Sequence, residues 1–382
     1  MPDLTDYRRT IDELDRSLVA LFEKRMDTAR AVAAYKKEHD LPVLQEGRER
    51  EVISRALAQL KDPAYAPYLR RFMQHMMDLS KTCQRQENRA AAAPAAPPRR
   101  ALALYGNPRA RAGFQGVAGA FSEEALGRVF GEKVQKTAYP SVEAVFQALA
   151  DGEIDYGVLP IENSTTGAIS RVYDLLSEHG FLIVAETYVK VEQYLLGLPG
   201  ARVEEVREVY SHPQGLEQCG AFLAAHPQMR AFPYHNTAMS ARLVHDLGDA
   251  TKAAIASLRA GALYALEPLG PAISDRTDNT TRFVVVSRER VVPEGADKAS
   301  IVLSLDDRAG TLYGLLRAFA ENDVNLVKIE SRPMHSGAWT YLLYVDFEGD
   351  VESDGVRAAL SELRARADYF AFLGAYKKEA GK

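Results

Sequence analysis

The sequence predicts three domains in one chain: an all-α domain, a two-lobed α/β domain and a C-terminal ferredoxin-like βαββαβ module. An Ala/Pro-rich stretch at 90–98, typical of a semi-rigid linker, separates a helical, glycine-poor segment from one in which short β-rich runs alternate with helical patterns. From residue 297 onward, the patterns follow the order strand, helix, strand, strand, helix, strand. The expected boundaries are 1–90, a linker at 91–109, 110–290 and 297–382.

The composition is that of a globular protein and argues against several other classes. The 382 residues allow two to four domains, and 47 % hydrophobic and 26 % charged residues are ordinary values. A net charge of −5 argues against a general role in nucleic-acid binding. No apolar run is long enough to span a membrane, and two cysteines are too few for a disulfide framework. We therefore expect a cytoplasmic protein that binds neither nucleic acid nor membrane.

The first segment shows the periodicity of three helices. One apolar stripe recurs at three- and four-residue spacing through Tyr7, Ile11, Leu14, Leu18 and Leu21. The pattern predicts a first helix of over 30 residues that continues to about His39 and ends before Pro42. A second helix is expected at about 45–60, and a third from the Asp62-Pro63 pair onward. Two short neighbours cannot bury a stripe about 50 Å long, so we expect an intertwined homodimer or a higher homo-oligomer.

Cations interrupt this stripe at regular spacing. Arg25 takes an apolar position of the stripe, and Lys36 lies 11 residues later on nearly the same face. Two cations in a buried seam require an anionic partner. Arg8 lies about 100° off that face, so it is better placed to serve the pocket of a partner chain. The alternative is a coiled coil with snorkelling side chains, which explains any one of these residues but not the spacing of the set.

The set of polar residues resembles the all-helical chorismate mutase family. The matching residues are Arg8, Arg25, Lys36, Arg48, Glu49, Ser80 and Gln84. The resemblance implies an interlocked dimer that rearranges chorismate to prephenate. In that site the three arginines bind carboxylates, Lys36 and Gln84 contact the ether oxygen, and Glu49 contacts the hydroxyl. Ser80 and Gln45 complete the predicted substrate-binding set, although the family often has Asp where this chain has Gln45.

The second segment carries polar loops at the ends of its predicted strands. The first, 116–122, follows a possible strand and opens a helix, so its backbone amides can hold an anion. Four further loops lie at 160–167, 211–214, 236–238 and 279–283. The alternation of strands and helices predicts two lobes with largely parallel sheets, and the loops mark a ligand cleft between them.

These loops resemble prephenate dehydratase in sequence and in order. The matching elements are GVAGAFSEEA, LPIENSTTGAI, SHPQ and TTRF. The resemblance implies the conversion of prephenate to phenylpyruvate, with Thr281 as proton donor to the leaving hydroxyl or as its hydrogen-bonding partner, and Arg282 binding a carboxylate. The remaining predicted substrate contacts are Ser122, Asn163, Ser164, Thr237 and Phe283. No cofactor or metal is expected. An arogenate dehydratase and a two-lobed amino-acid sensor are the alternatives.

The C-terminal module resembles ACT domains of the phenylalanine-binding type. The resemblance rests on the strand and helix order and on Glu330, Ser331, Arg332 and Pro333. It implies feedback regulation by phenylalanine, bound at a dimer interface. The family commonly has a Gly-Ala-Leu-Val loop at the position of residues 310–313. Gly310 and Leu312 match its glycine and leucine, whereas Thr311 and Tyr313 differ from its alanine and valine. A module used only for dimerisation is the alternative.

Overall fold

The computed structural model describes residues 3–39, 48–89, 99–100, 104–305, 309–333 and 341–379. The chain divides into two compact units, Met1–Ala95 and Ala96–Lys382. We call the described part of the first unit the helical domain. The second unit contains a two-lobed domain, 104–293, and a C-terminal module, 298–376.

The helical domain is built from three α-helices, as the periodicity predicts. They are α1 (Leu4–Glu38), α2 (Arg48–Ala58) and α3 (Ala66–Arg89). Asp3 starts α1, because its side chain accepts hydrogen bonds from the backbone N–H groups of Thr5 and Asp6 at 2.8 and 2.9 Å. A short 3-10 turn, Pro63–Tyr65, is capped by Asp62 and leads into α3. The first helix has 35 residues, which corresponds to about 52 Å.

The apolar stripe of α1 is exposed in the single chain. Tyr7, Leu14 and Leu21 are 57 %, 59 % and 64 % exposed, although the stripe has the spacing of a buried face. Contiguous apolar surface of this length is typical of an interface with another protein chain.

The second unit contains the remaining strands and helices. The strands are β1 (Arg99–Arg100), β2 (Arg111–Gln115), β3 (Gln135–Tyr139), β4 (Tyr156–Asn163), β5 (Gly167–Ala168), β6 (Leu182–Lys190), β7 (Tyr194–Gly197), β8 (Glu208–Ser211), β9 (Arg230–Pro233), β10 (Lys252–Ala256), β11 (Glu267–Pro268), β12 (Thr280–Ser287), β13 (Val292–Pro293), β14 (Lys298–Ser304), β15 (Asn325–Pro333), β16 (Tyr341–Glu348) and β17 (Tyr369–Tyr376). The helices are α4 (Phe121–Phe130), α5 (Val142–Asp151), α6 (Ser170–His179), α7 (Pro213–Glu217), α8 (Gly220–Ala225), α9 (Thr237–Leu247), α10 (Leu258–Leu263), α11 (Thr311–Ala320) and α12 (Asp354–Arg366).

The two lobes have separate sheets. Strands β3, β2, β4, β12 and β6 form the first lobe, and β11, β7, β10, β8 and β9 form the second. The expectation of largely parallel sheets is wrong, because β12 pairs antiparallel with both β4 and β6. Both of those strands run toward the second lobe. The chain returns from that lobe along β12, which therefore has to run in the opposite direction.

The C-terminal module has the predicted βαββαβ order, and its sheet is continuous with that of the first lobe. The junction is formed by β17 and β6, which pair in parallel at Gly374 and Ile183. One hydrophobic core also spans the two parts, with Val302 and Leu373 of the module packed in the same cluster as Phe146 and Leu176 of the first lobe. The sequence patterns do not predict this junction, since strand periodicity does not identify the neighbouring strand.

The junction depends on a glycine. Gly374 has φ of +139°, and a Cβ atom at this position would lie 2.2 Å from the carbonyl oxygen of Ile183. No real Cβ contact is that short, so any other residue would push β17 away from β6.

We predict that Gly374→Ala destabilises the second unit by roughly 3 kcal/mol, which combines backbone strain with overpacking. Thermal unfolding followed by calorimetry should show the transition of that unit lowered by roughly 6–12 °C. Gly270→Ala is the matched control, because Gly270 has φ of +157° but open space around its Cβ position. Equal losses in the two variants would show that the close approach of the strands is not the cause.

Candidate functional site

A cavity of about 430 Å³ in the helical domain lies beside Arg25. Its lining residues are Leu21, Lys24, Arg25, Thr28, Ala29, Val32 and Ser80. The Arg25 guanidinium donates to the carbonyl oxygen of Met76 at 2.9 Å and to the hydroxyl of Ser80, which in turn donates to Met76 at 2.8 Å. Burial lowers the pKa of Arg25 below its ordinary value. The cavity therefore presents a partly desolvated cation, a favourable setting for an anionic ligand.

Arg8 does not reach this cavity. It lies on the same helix as Arg25, 17 residues earlier, so the two Cα atoms are about 26 Å apart along the axis. The other predicted residues of this site cannot be placed, because their side chains lie outside the described residues: Lys36, Gln45, Arg48, Glu49 and Gln84. Lys24 lines the cavity and was not predicted. Lys24 immediately precedes Arg25, and the three- and four-residue spacing of the apolar stripe pointed only to Arg25.

A second cavity, of about 740 Å³, is the cleft between the two lobes. We call it the cleft. The predicted loops supply much of its polar lining, including Ser122, Asn163, His212, Gln214, Asn236, Thr237 and Thr281. The ring of Phe283 forms part of its floor and belongs to the first-lobe core. Polar residues that lie far apart in the sequence thus face one cavity.

Thr281 and Asn163 form a hydrogen-bonded pair in the cleft. They are opposite each other in the β12–β4 ladder, and the Thr281 hydroxyl oxygen accepts a hydrogen bond from Asn163 Nδ2 at 2.9 Å. The amide of Asn163 is held in one orientation, because its Oδ1 accepts from the backbone N–H groups of Thr165 and Thr166 at 2.9 and 3.0 Å. Nδ2 also donates to Asn279 Oδ1 at 2.7 Å.

This arrangement fixes the direction in which Thr281 can donate. A hydroxyl has one hydrogen to donate and two lone pairs, and Asn163 occupies a lone pair. The hydroxyl hydrogen of Thr281 therefore stays available for a group bound in the cleft. Both side chains are buried, so water competes little for this hydrogen bond.

The N-termini of α4 and α9 border the cleft. Ala120 is the N-cap of α4 and has no side-chain oxygen to cap the first turn. Its carbonyl oxygen accepts from the N–H groups of Glu123 and Glu124, so the N–H groups of Phe121 and Ser122 are the ones directed to a ligand. Ser122 and Thr237, both predicted, lie in the first turns of these two helices. Helix N-termini attract negative charge, so the cleft is suited to carboxylates.

Arg282 does not line the cleft, which corrects its predicted role as a direct carboxylate ligand. Successive residues of a strand face opposite sides of the sheet, and Thr281 and Phe283 face the cleft. The Arg282 guanidinium lies behind the sheet and is 5 % exposed, with ion pairs to Glu186 at 2.8 Å and Asp346 at 2.6 Å. The described lining of the cleft contains no arginine or lysine.

Ser164 is also outside the lining of the cleft. It is exposed, its hydroxyl donates to the carbonyl oxygen of Asp278 at 3.1 Å, and it accepts from the Thr280 N–H at 3.0 Å. Its position joins the loop after β4 to the loop before β12. Ser164 thus supports the two segments that carry Asn163 and Thr281, and the structure does not place it as a ligand.

Several residues of the cleft lie outside the predicted loops, among them the polar residues Gln193, Gln218 and His235. Gln193 follows β6 where the chain crosses to the second lobe, and its side chain is buried at 2 % exposure. The signal that could have found it is its position at the end of a buried strand, the same signal that marked the other loops.

In the C-terminal module, the predicted ligand residues lie in two places. Gly310 is the N-cap of α11 with φ of +90°, and Leu312 is exposed in its first turn. On β15, alternation places Ser331 and Pro333 on the exposed face, while Glu330 and Arg332 are half-buried. Arg332 donates to the carbonyl oxygen of Ser170 and to Asp174 at 2.7 and 2.8 Å, so it contacts the first lobe.

The described ranges offer neither a metal cluster nor a membrane-spanning helix. No group of three or more His, Cys, Asp or Glu side chains there is arranged to hold a metal ion. No described helix is long and apolar enough to cross a membrane.

Comparisons with known proteins agree with this three-part organisation. The family profiles that match are chorismate mutase type II at 7–85, prephenate dehydratase at 112–291 and the ACT domain at 299–365. The bifunctional chorismate mutase/prephenate dehydratase of Aquifex aeolicus is 30 % identical over 99 % of both chains. The chain belongs to the bifunctional chorismate mutase/prephenate dehydratase family. This confirms the predicted resemblances and the fold class.

Two further relatives of the family concern the second unit. The arogenate dehydratase/prephenate dehydratase 2 of Arabidopsis thaliana is 39 % identical over 70 % of this chain and 73 % of its own length. The crystal structure of a prephenate dehydratase from Arthrobacter aurescens in complex with L-Phe is 31 % identical, with a TM-score of 0.63. That match covers 70 % of this chain and 89 % of the solved one.

Proposed function

We propose that this chain makes phenylpyruvate from chorismate in two steps. The helical domain rearranges chorismate to prephenate, and the cleft removes the hydroxyl and one carboxylate of prephenate. The C-terminal module binds phenylalanine, which acts as a feedback inhibitor of the enzyme. The observation that carries the proposal is the Thr281–Asn163 pair, which holds a hydroxyl hydrogen ready to donate in a cleft suited to carboxylates.

The first step needs no nucleophile. Its site must hold the two carboxylates of chorismate in a compact conformer and stabilise charge on the ether oxygen. Arg25 supplies a cation fixed by Met76 and Ser80, and Lys24 adds a second cation to the same cavity. The predicted contacts of Lys36, Arg48, Glu49 and Gln84 would complete the site.

The exposed stripe of α1 supports an intertwined dimer. Arg8 is exposed, and the axial distance of about 26 Å separates it from the cavity of its own chain. An antiparallel second copy of α1 would cover the stripe and bring its Arg8 toward this cavity. We therefore assign Arg8 to the site of the partner chain.

The second step breaks two bonds of prephenate. The bond from the ring to the leaving carboxylate breaks, its electron pair enters the ring, and the carboxylate leaves as carbon dioxide. The C–O bond on the opposite ring carbon breaks with it, and the hydroxyl leaves as hydroxide, which takes up a proton from the solvent and becomes water. A threonine is too weak an acid to transfer its proton outright at neutral pH. Thr281 instead donates a hydrogen bond to the departing oxygen as negative charge develops there, and Asn163 keeps it oriented.

The carboxylates of prephenate are bound without a cation from the described lining. The N-termini of α4 and α9 supply backbone donors, and Ser122 and Thr237 add hydroxyls. His212 lies beside them, with its Nδ1 accepting from the N–H of Gln214 at 3.2 Å. A site of dipoles holds the leaving carboxylate less tightly than an ion pair would, which suits a group that must depart as neutral carbon dioxide.

Phenylalanine is the regulatory ligand that the relatives favour, since the Arthrobacter aurescens prephenate dehydratase was solved in complex with L-Phe. Leu312 and Tyr313 are exposed at the start of α11, and Val327 and Ile329 are partly exposed on β15. These apolar side chains would be covered in a module dimer that encloses the ligand.

A second candidate is dehydration of arogenate, the transaminated form of prephenate. It is a candidate for the second unit because the name of the Arabidopsis thaliana relative gives arogenate dehydratase beside prephenate dehydratase. The mutase domain favours prephenate, because the product of the first step is then the substrate of the second.

We predict that chorismate alone is converted to phenylpyruvate, which is followed by its absorbance. With the two candidate substrates supplied separately, kcat/KM should be higher for prephenate than for arogenate. A strong preference for arogenate would overturn the substrate assignment. No product from any of the three compounds would favour the two-lobed sensor.

We predict that Thr281→Val lowers the dehydratase kcat by roughly 10²–10³-fold, the usual cost of removing one preorganised donor. Thr281→Ser retains the hydroxyl and is the matched control, with activity near that of the parent chain. Mutase activity in the same samples should be unchanged, since that site lies in the other unit. A valine variant as active as the serine variant would contradict the role of Thr281.

We predict that Arg8→Ala and Arg25→Ala chains are each inactive as mutases and regain activity when mixed. Each heterodimer has two sites, one with both arginines intact and one with neither. Verified heterodimers should therefore regain up to about half of the parent mutase activity. Absence of any recovery in such heterodimers would rule out a site shared between chains.

A further inference from the structure

The two strands that carry Thr281 and Asn163 also carry a charged pair on their opposite face. In the β12–β4 ladder, the register pair next to Thr281 and Asn163 is Arg282 and Glu162. A register shift between Arg282 and Phe283 follows directly. Bulges of this kind re-aim side chains beside active sites. Any displacement of Arg282 is therefore transmitted to its covalent neighbour Thr281.

Arg282 is held mainly by the C-terminal module. Its Nη1 donates to Asp346 Oδ2 at 2.6 Å, and its Nη2 donates to the Tyr376 hydroxyl at 2.7 Å. Its Nε donates to Glu186 of the first lobe at 2.8 Å. All three guanidinium nitrogens thus have a partner, and two of the three partners belong to the module.

The module residues that hold Arg282 are fixed in turn. The Ser300 hydroxyl lies 2.6 Å from Asp346 Oδ1 and 2.7 Å from the Tyr376 hydroxyl. Burial tends to raise the pKa of Asp346, but Arg282 and Ser300 outweigh it and hold that pKa below its ordinary value. Asp346 is therefore an anion at neutral pH although it is buried.

The module makes a second contact with the same pair of strands. Lys328 Nζ lies 3.0 Å from Glu162 Oε2, and Glu162 lies 3.6 Å from Arg282 Nη1. Glu162 directly precedes Asn163. The module thus contacts the residue adjacent to each member of the Thr281–Asn163 pair.

We propose that Arg282 is a positioning residue for Thr281, and that Asp346 of the C-terminal module holds it in place, so that the module sets the geometry of the dehydratase site from behind the sheet. The proposal rests on the proposed function, since it assigns Thr281 to the dehydration step. It gives ligand binding in the module a direct path to the reacting atoms.

The test uses Asp346→Asn in the full-length chain. The substitution preserves shape and removes the charge that holds Nη1. The expected result is a dehydratase kcat lowered by about tenfold, because small misplacements of a catalytic group are costly, with KM changed by less than about threefold. The mutase kcat measured in the same sample should be unchanged.

Glu362→Gln is the matched control. Glu362 is also a buried carboxylate of the module, and it pairs with Arg317 at 3.0 Å and Arg366 at 2.9 Å, within the module's own helices. It should lower the melting temperature of the second unit without changing the dehydratase kcat. Tyr376→Phe, which removes a single oxygen, should lower kcat in the same direction as Asp346→Asn by a smaller factor and serves if the asparagine variant fails to fold.

The outcomes distinguish a failure of the positioning role from a failure of the proposed function. Equal kcat in the Asp346→Asn and Glu362→Gln variants, or a Tyr376→Phe variant with the parent kcat, would overturn the positioning role. A parent chain that forms no phenylpyruvate, or whose Thr281→Val variant remains fully active, would instead overturn the proposed function on which it rests.

Discussion

The buried guanidinium of Arg282 is the interaction on which the second unit depends. It lies between Glu186 of the first lobe and Asp346 of the C-terminal module, and Lys298 of the module pairs with the same Glu186 at 2.8 Å. Buried charges are tolerated when each is paired and hydrogen-bonded, and removing one partner leaves the others uncompensated. Separation of the module from the two-lobed domain would leave these charges without their partners. The continuous sheet at Gly374 and the shared core make the same connection through backbone and apolar contacts.

This arrangement gives the central strands a neutral side and a charged side. The side facing the cleft carries the hydroxyl of Thr281 and the amide of Asn163, and the opposite side carries Arg282 and Glu162. A neutral cleft with helix N-termini can bind a carboxylate and still release it after its charge is lost. The proposed mutase site beside Arg25 has the opposite character, because chorismate keeps both carboxylates in the rearrangement, and a cation is then suitable.

The sequence predicted the residues on the cleft-facing side of these strands better than those on the opposite side. The loops that carry Thr281, Asn163, Ser122 and Thr237 were found because each lies where a strand ends or a helix begins, and those positions converge in an α/β fold. The family resemblance then singled out these four residues within the loops. Arg282 was misassigned because its role was taken from the family resemblance, although the two-residue period of a strand already separates it from Thr281 and Phe283. The β17–β6 junction could not be predicted, since pairing partners and the close approach at Gly374 depend on tertiary structure.

The measurement that tests the central claim most directly is backbone hydrogen exchange of the full-length chain, compared between the parent and Asp346→Asn. If Asp346 holds the strand through Arg282, exchange should become faster in β12 and at the Asn163 end of β4, whereas β10 of the second lobe and α3 of the helical domain should be unchanged. Exchange in β12 that is unaltered, or that rises equally in β10, would contradict the account, because the first means no coupling and the second means a general loss of stability.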